Sequence, residues 1–308
     1  MKTYWKNGRG LTPCAEWEPN CWVNIEIPSP EEKHYLIHKI GIPEAFYNDI
    51  EDMDERPRIE YENGWLLILL RVPYKNIDVS IPFTTVPLGI IFKEEKFVSI
   101  CFFQTEVLPD FIQFTHRKNI IKHDNFDLVL RLMLSSSVWF LKYLKQINQS
   151  IKLAETQLEK SIKNEDLQAL LRIEKSLVFF TTSLKGNDIL LHRIKNIRSY
   201  KDTFDPELVE DVEIELRQAQ ETTNVHSDIL SGMMDAYASV ISNNLNVIMK
   251  QLTSISIILM IPTLIASLYG MNVPNGFENT RWGFWIILLI SFLFSLTGIL
   301  FFLKKKWF

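Results

Sequence analysis

Apolar and polar positions follow three successive regimes along the chain. Up to about residue 103 the pattern mixes strand-like alternation with short helical starts. Trp22-Val-Asn-Ile25-Glu-Ile27 alternates with the two-residue period of a half-buried strand. Ser29-Pro30-Glu31-Glu32 reads as a capping box with proline at the first helical position, so a helix is expected to about Lys39. Gly41-Ile42-Pro43 stops it and starts another, which ends in the acidic run Glu51 to Glu55. Arg56 to Glu62 and Trp65 to Val72 read as two strands joined by the tight turn Asn63-Gly64. Pro87 to Phe92 and Lys96 to Phe103 supply further strands, and the first residues read as an irregular start.

From Phe126 the period becomes helical. Leu144, Ile147, Ile151, Ala154 and Leu158 step by three and four, as in a helix packed lengthwise on another. Asn164-Glu165-Asp166 interrupts and recaps it, and the following helix is expected to end near Gly186 or slightly beyond. Asp205-Pro206-Glu207 then gives a cap, a first-turn proline and a first-turn acid. No proline follows from Leu208 until Pro262. A helix of about 64 residues would be near 95 Å long, far more than a bilayer needs, so most of it must be a stalk.

In the third regime charge disappears. Gln251 to Phe277 carries no charged side chain, and the part before Gly270 is long enough to cross a hydrocarbon core of roughly 30 Å. A second uncharged stretch, Trp282 to Leu303, has Trp282, Trp285 and Trp307 where aromatic residues favour the membrane interface. Two spans leave both termini on one side. Lys250 before the first span and Lys304, Lys305 and Lys306 after the second place that side in the cytoplasm.

Within the first span lies a second pattern. Asn246, Met249, Thr253, Ser256, Met260, Thr263, Ser267 and Gly270 recur at steps of three and four and so share one helical face. Small and hydroxylated residues on a membrane helix form a packing seam, or, if several copies surround an axis, line a watery path. The pattern alone leaves both open.

Composition narrows the function classes. The 308 residues carry a net charge of −4 and no basic stripe, which argues against a nucleic-acid partner. Met1-Lys2-Thr3-Tyr4-Trp5 has no apolar stretch of a secretory signal. Cys14, Cys21 and Cys101 have no zinc-type spacing and read as reduced thiols. Neither a phosphate-binding glycine-lysine loop nor a GxSxG motif occurs, so no enzyme is expected. His34 and His38 lack the glutamate of a zinc protease helix and read as surface or half-buried residues, and Glu51, Asp52, Asp54 and Glu55 read as a solvated helix end.

Tyr269-Gly270-Met271-Asn272 closing the first span, the junction Asp235 to Lys250 before it, and the tail Lys304-Lys305-Lys306-Trp307-Phe308 after a second span together resemble the CorA family of magnesium transport proteins. The resemblance extends upstream to Arg56-Pro57-Arg58-Ile59-Glu60. It implies an α/β cytoplasmic domain, a long helical stalk and two transmembrane helices, assembled as a homopentameric, channel-like membrane transporter. The expected divisions are 1–130 for the α/β domain, 131–204 for a helical region and 205–250 for the stalk. The first span is 251–270, the filter loop 271–281, the second span 282–303 and the tail 304–308.

The resemblance implies gated, passive transport of magnesium, with cobalt and nickel as further cargo, and partners limited to further copies of the chain, membrane lipid and divalent cations. It makes Gly270, Met271 and Asn272 the entrance filter, and Met249, Leu252 and Met260 a hydrophobic gate. Asp211 matches a cytoplasmic magnesium-sensing aspartate, for which Asp78 is the expected facing ligand, and Asp235 would concentrate cations at the inner mouth. Magnesium would thus be cargo and regulator, with no organic cofactor. The outer loop lacks the Met-Pro-Glu-Leu sequence of many relatives and carries one acid, Glu278. The alternatives are a zinc transporter of the same superfamily, and a membrane sensor that conducts nothing.

Overall fold

The computed structural model describes residues 2–8, 10–76, 80–120, 124–160, 164–197, 205–272, 281–305 and 307. The chain divides into two units, Met1–Gly232 and Met233–Phe308.

The first unit is built on a seven-stranded sheet: β1 (Lys2–Gly8), β2 (Gly10–Cys14), β3 (Trp22–Glu26), β4 (Arg58–Glu62), β5 (Trp65–Lys75), β6 (Phe83–Lys93) and β7 (Lys96–Cys101), in the order β2-β1-β3-β7-β6-β5-β4. All neighbours are antiparallel except β3 and β7, where Trp22 lies opposite Phe97 and Glu26 opposite Cys101. The turn between β4 and β5 is tight because Asn63 and Gly64 both take positive φ, 51° and 81°. β5 and β6 are covered on both faces, which is why they read as continuous apolar runs. β1 and β2 replace the irregular start expected from the sequence. Their residues are largely half-exposed, so no alternation marks them.

One face of the sheet is covered by α1 (Pro30–His34), a π-helical turn (Tyr35–Ile40) and α2 (Glu44–Glu51). The capping box is present: Glu32 N–H donates to Ser29 Oγ at 3.2 Å and Ser29 N–H to Glu32 Oε2 at 2.9 Å. Leu36, Phe46 and Ile50 pack there on Val23, Ile25, Leu67, Leu69 and Ile91. α2 lies so close to β6 that a Cβ on Gly89 would stand 2.1 Å from Ile50 Cδ1.

Opposite-facing residues of the strands meet α3 (Val107–Lys118), α4 (Asn125–Lys160) and α5 (Asn164–Lys195). Edge-on aromatic contacts join the layers, Trp22 to Phe111 at 5.9 Å and Phe92 to Phe126 at 5.2 Å between ring centres. α5 continues through Gly186 to Lys195, further than the glycine suggests. The missing side chain has a packing reason: a Cβ there would come within 2.8 Å of the Pro57 ring. Beside it the buried Asn187 amide takes the Arg71 N–H at 3.0 Å and donates to the Arg71 carbonyl at 2.7 Å, replacing a missing strand neighbour.

α6 runs without interruption from Pro206 to Tyr269, 64 residues. Asp205 caps it by accepting the Glu207 N–H at 3.1 Å. In the first unit Leu208, Val212, Leu216, Ala219 and Thr223 form its buried stripe, and Gln220 Nε2 donates to the Leu184 carbonyl of α5 at 3.1 Å. The second unit holds the C-terminal part of α6 and α7 (Gly283–Lys304). Both helices are long and apolar enough to cross a membrane.

Candidate ion path

In the second unit the decisive question is which side of α6 meets α7. Gly298 answers it: a Cβ built there would lie 3.7 Å from both Ile258 Cγ1 and Ile261 Cδ1. Ser254 is fully buried, and Ile258, Ile261 and Ile265 are half-buried. α7 therefore covers the isoleucine side.

At 3.6 residues per turn, the face carrying Thr253, Ser256, Met260, Thr263 and Ser267 points roughly 150° away from that seam. All five of these residues are exposed, as are Asn246, Met249 and Leu252. Large apolar side chains share this open surface: Met249 is 51% exposed, Leu252 58% and Met260 66%.

Three hydroxyls on this face are satisfied within the helix. Thr253 Oγ1 donates to the Met249 carbonyl at 2.7 Å, Ser256 Oγ to Leu252 at 2.9 Å and Thr263 Oγ1 to Leu259 at 3.0 Å. Each proton is thereby used, and what faces outward is the oxygen with its lone pairs. A surface that only accepts hydrogen bonds suits a hydrated cation, whose water molecules turn their hydrogens outward. α6 passes through Pro262 as a continuous helix, as membrane helices permit when neighbouring groups adjust.

α6 ends at Tyr269, and the Gly270 N–H still donates to the Ala266 carbonyl at 2.9 Å. Gly270, Met271 and Asn272 follow as an exposed turn. Glu278 and the rest of 273–280 lie outside the described residues.

Of the candidate regulatory ligands, Asp211 and Asp235 are exposed at well-separated positions of α6, so they do not share one coordination sphere. Asp78 lies outside the described residues. Among the described residues no group of three or more His, Cys, Asp or Glu is placed to hold a metal ion. The length of α6 before Lys250 is nevertheless strongly acidic: Glu207, Glu210, Asp211, Glu213, Glu215, Glu221, Asp228 and Asp235 are set against Arg217. Lys195 of α5 pairs with Glu213. The excess of carboxylates gives this stretch a potential that attracts cations.

The residues that build the seam were not singled out from the sequence. Their signal is a stripe on α7, Ser291, Ser295 and Gly298, at steps of four and three. Ser295 Oγ is buried with no hydrogen-bond partner among the described residues.

A family model described as CorA-like Mg2+ transporter protein matches residues 17–305. The cobalt/magnesium transport protein CorA of Methanocaldococcus jannaschii is 25% identical over 93% of this chain and 90% of its own length. That of Thermotoga maritima is 26% identical over 96% of this chain and 86% of its own. The complete structure of the CorA magnesium transporter from Methanocaldococcus jannaschii superposes with a TM-score of 0.85 at 23% identity, covering 100% of this chain and 99% of that one.

Proposed function

The chain belongs to the CorA-like Mg2+ transporter family, and on that premise we propose that identical copies of it surround an axis onto which the hydroxyl face of α6 looks. The protein is an integral membrane protein that transports divalent cations, with its large N-terminal domain in the cytoplasm, and it is not an enzyme. The finer reading is passive influx of magnesium, with cobalt and nickel as further cargo, through a homopentamer. The curated relatives in Methanocaldococcus and Thermotoga carry the name cobalt/magnesium transport protein.

One observation supports this reading most: α7 occupies the isoleucine side of α6, so the acceptor-lined side is left exposed among the described residues. The outward lone pairs of these serine and threonine oxygens can accept hydrogen bonds from water that acyl chains do not offer. Magnesium gives up its water reluctantly, so neutral oxygens repeated by symmetry suit the hydrated ion better than a tight carboxylate cage. In this scheme Asn272 offers such a ring at the outer mouth, with Gly270 and Met271 shaping the turn that carries it. Asn246, Thr253, Ser256, Thr263 and Ser267 line the path. Met249, Leu252 and Met260 form apolar rings that close it by excluding water.

The driving force is electrical. A membrane potential contributes about 2.3 kcal/mol per elementary charge per 100 mV, roughly twice that for a divalent ion, and no nucleotide hydrolysis is required. On the cytoplasmic side Asp235 concentrates cations near the inner mouth. Asp211, facing Asp78 of a neighbouring copy, binds magnesium and favours the closed path when the internal concentration is high.

The test is flux into liposomes containing the purified protein. Wild type is expected to admit magnesium in proportion to an imposed inside-negative potential, and Asn272→Ala to reduce that flux by about tenfold or more. Unchanged flux in the variant refutes the filter role. A preference for zinc would identify a zinc transporter, and a protein that passes no ion would be a sensor.

A further inference from the structure

A cavity of about 1190 Å3 opens in the first unit between β1, β2, the segment after β2, the π-helical turn and β7. Pockets for small organic ligands span roughly 300–1,000 Å3, so its size admits a whole ligand of that class with room for water. No residue of the ion path contributes to it.

The chemistry of its walls is unusual for a structural crevice. Lys2, Lys39 and Lys96 line it, against Glu16 as the acid. None of the three lysines forms an ion pair among the described residues. Their charges are held by aromatic faces instead: the Lys2 ammonium lies 3.9 Å from the Tyr35 ring centre, and Lys39 lies 5.9 Å from the same centre. Lys96 donates to the Ile40 carbonyl at 3.0 Å and lies 5.8 Å from the Trp65 ring centre, with no further acceptor among the described residues. Lys2 and Lys39 thus both bring their ammonium groups to the Tyr35 ring, on the same stretch of the cavity wall.

The same walls carry flat apolar surface. Tyr4, Trp5, Trp17 and Tyr35 all contribute, and Trp17 remains 39% exposed. Tyr4 donates to the Tyr35 hydroxyl at 3.4 Å, so the Tyr35 proton is left for an incoming acceptor. Burial and the Tyr4 hydroxyl push the Tyr35 phenol up to about 12, which keeps that proton in place at neutral pH.

Unpaired cations alone would suit any anion, and aromatic walls alone any apolar molecule; their combination selects a ligand that has both parts. We propose that this cavity is a nucleotide site, with phosphates held between Lys2, Lys39 and Lys96 and the base against the aromatic walls. Phosphate oxygens would accept ammonium protons that no carboxylate among the described residues takes. The ring would cover indole and phenol faces that are otherwise wet.

The experiment is calorimetric titration of the full-length protein in detergent with ATP, in the presence of a chelator so that metal binding elsewhere contributes no heat. Pyrophosphate supplies the charge without the ring, and adenosine the ring without the charge. Saturable ATP binding is expected, with each half-ligand weaker by at least about tenfold. Lys39→Glu and Trp17→Ala alter exposed side chains, and their unfolding temperatures check that both variants are folded. Each is expected to weaken ATP by about tenfold or more while liposome magnesium flux without nucleotide stays at the wild-type level. The proposal is overturned by absence of saturable ATP binding, by unchanged affinity in either variant, or by pyrophosphate binding as tightly as ATP.

Discussion

Replacing Gly298 tests which side of α6 meets α7, and with it the side left for the ion. An alanine Cβ at this position would sit 3.7 Å from Ile258 Cγ1 and Ile261 Cδ1, which is ordinary van der Waals contact. Gly298→Ala is therefore expected to change stability by less than about 1 kcal/mol. Leucine adds three further carbons where the isoleucines already touch. Those carbons have to displace a helix or an isoleucine rotamer, at a cost of about 1–3 kcal/mol. The comparison is Ser256→Leu on the open face, where Leu252 and Met260 are already as large. That change should cost little stability but cut magnesium flux by about tenfold, because it adds an apolar ring to the path. Thermal unfolding in detergent and flux into liposomes read the two effects separately. If Gly298→Leu unfolds at the wild-type temperature, or if Ser256→Leu lowers it as much, the assignment of the two faces is wrong.

Three further outcomes concern the cytoplasmic unit. Asn187→Ala removes both bonds to the Arg71 backbone and strands a buried N–H and C=O; denaturant unfolding should show a loss of about 2–4 kcal/mol. Gly89→Ala drives a methyl into Ile50, which is 1% exposed and has no room to retreat; a loss of about 1–3 kcal/mol is expected by the same measurement. Burial lowers the pKa of His226 below its ordinary 6.5, and its Nδ1 is buried without a partner among the described residues. The folded protein thus keeps this ring neutral where the unfolded chain protonates it. Its contribution is full above 6.5 and is lost as pH falls, so acidification from about 7.5 to about 5.5 should lower the unfolding temperature more in wild type than in His226→Gln.

Much of the architecture is legible because each feature has a local cause. The capping box at Ser29, the Asn63-Gly64 turn and the Asp205-Pro206 start all act within a few residues, and the absence of charge after Lys250 requires no partner to be read. What escaped depends on distant contacts. β1 and β2 are half-exposed strands whose residues show no alternation, and their place beside β3 is decided by pairing across the sheet. Gly186 reads as a helix end because a glycine is a common terminator, whereas here it makes room for Pro57. On α6 the hydroxyl periodicity was visible, but not which flank would be covered, since that is set by Gly298 on another helix.

The unbroken course of α6 has a consequence for how such a chain can change its length. Each residue added to a helix turns everything beyond it by about 100°, whereas seven residues return the phase to within about 20°. On the proposed arrangement around an axis, a lone insertion in the stretch before Asn246 would turn the oxygen-bearing flank away from that axis by about 100°. Divergence in stalk length is thus quantised: whole heptads preserve the azimuth of the downstream side chains, and intermediate lengths require a compensating deletion on the same rod.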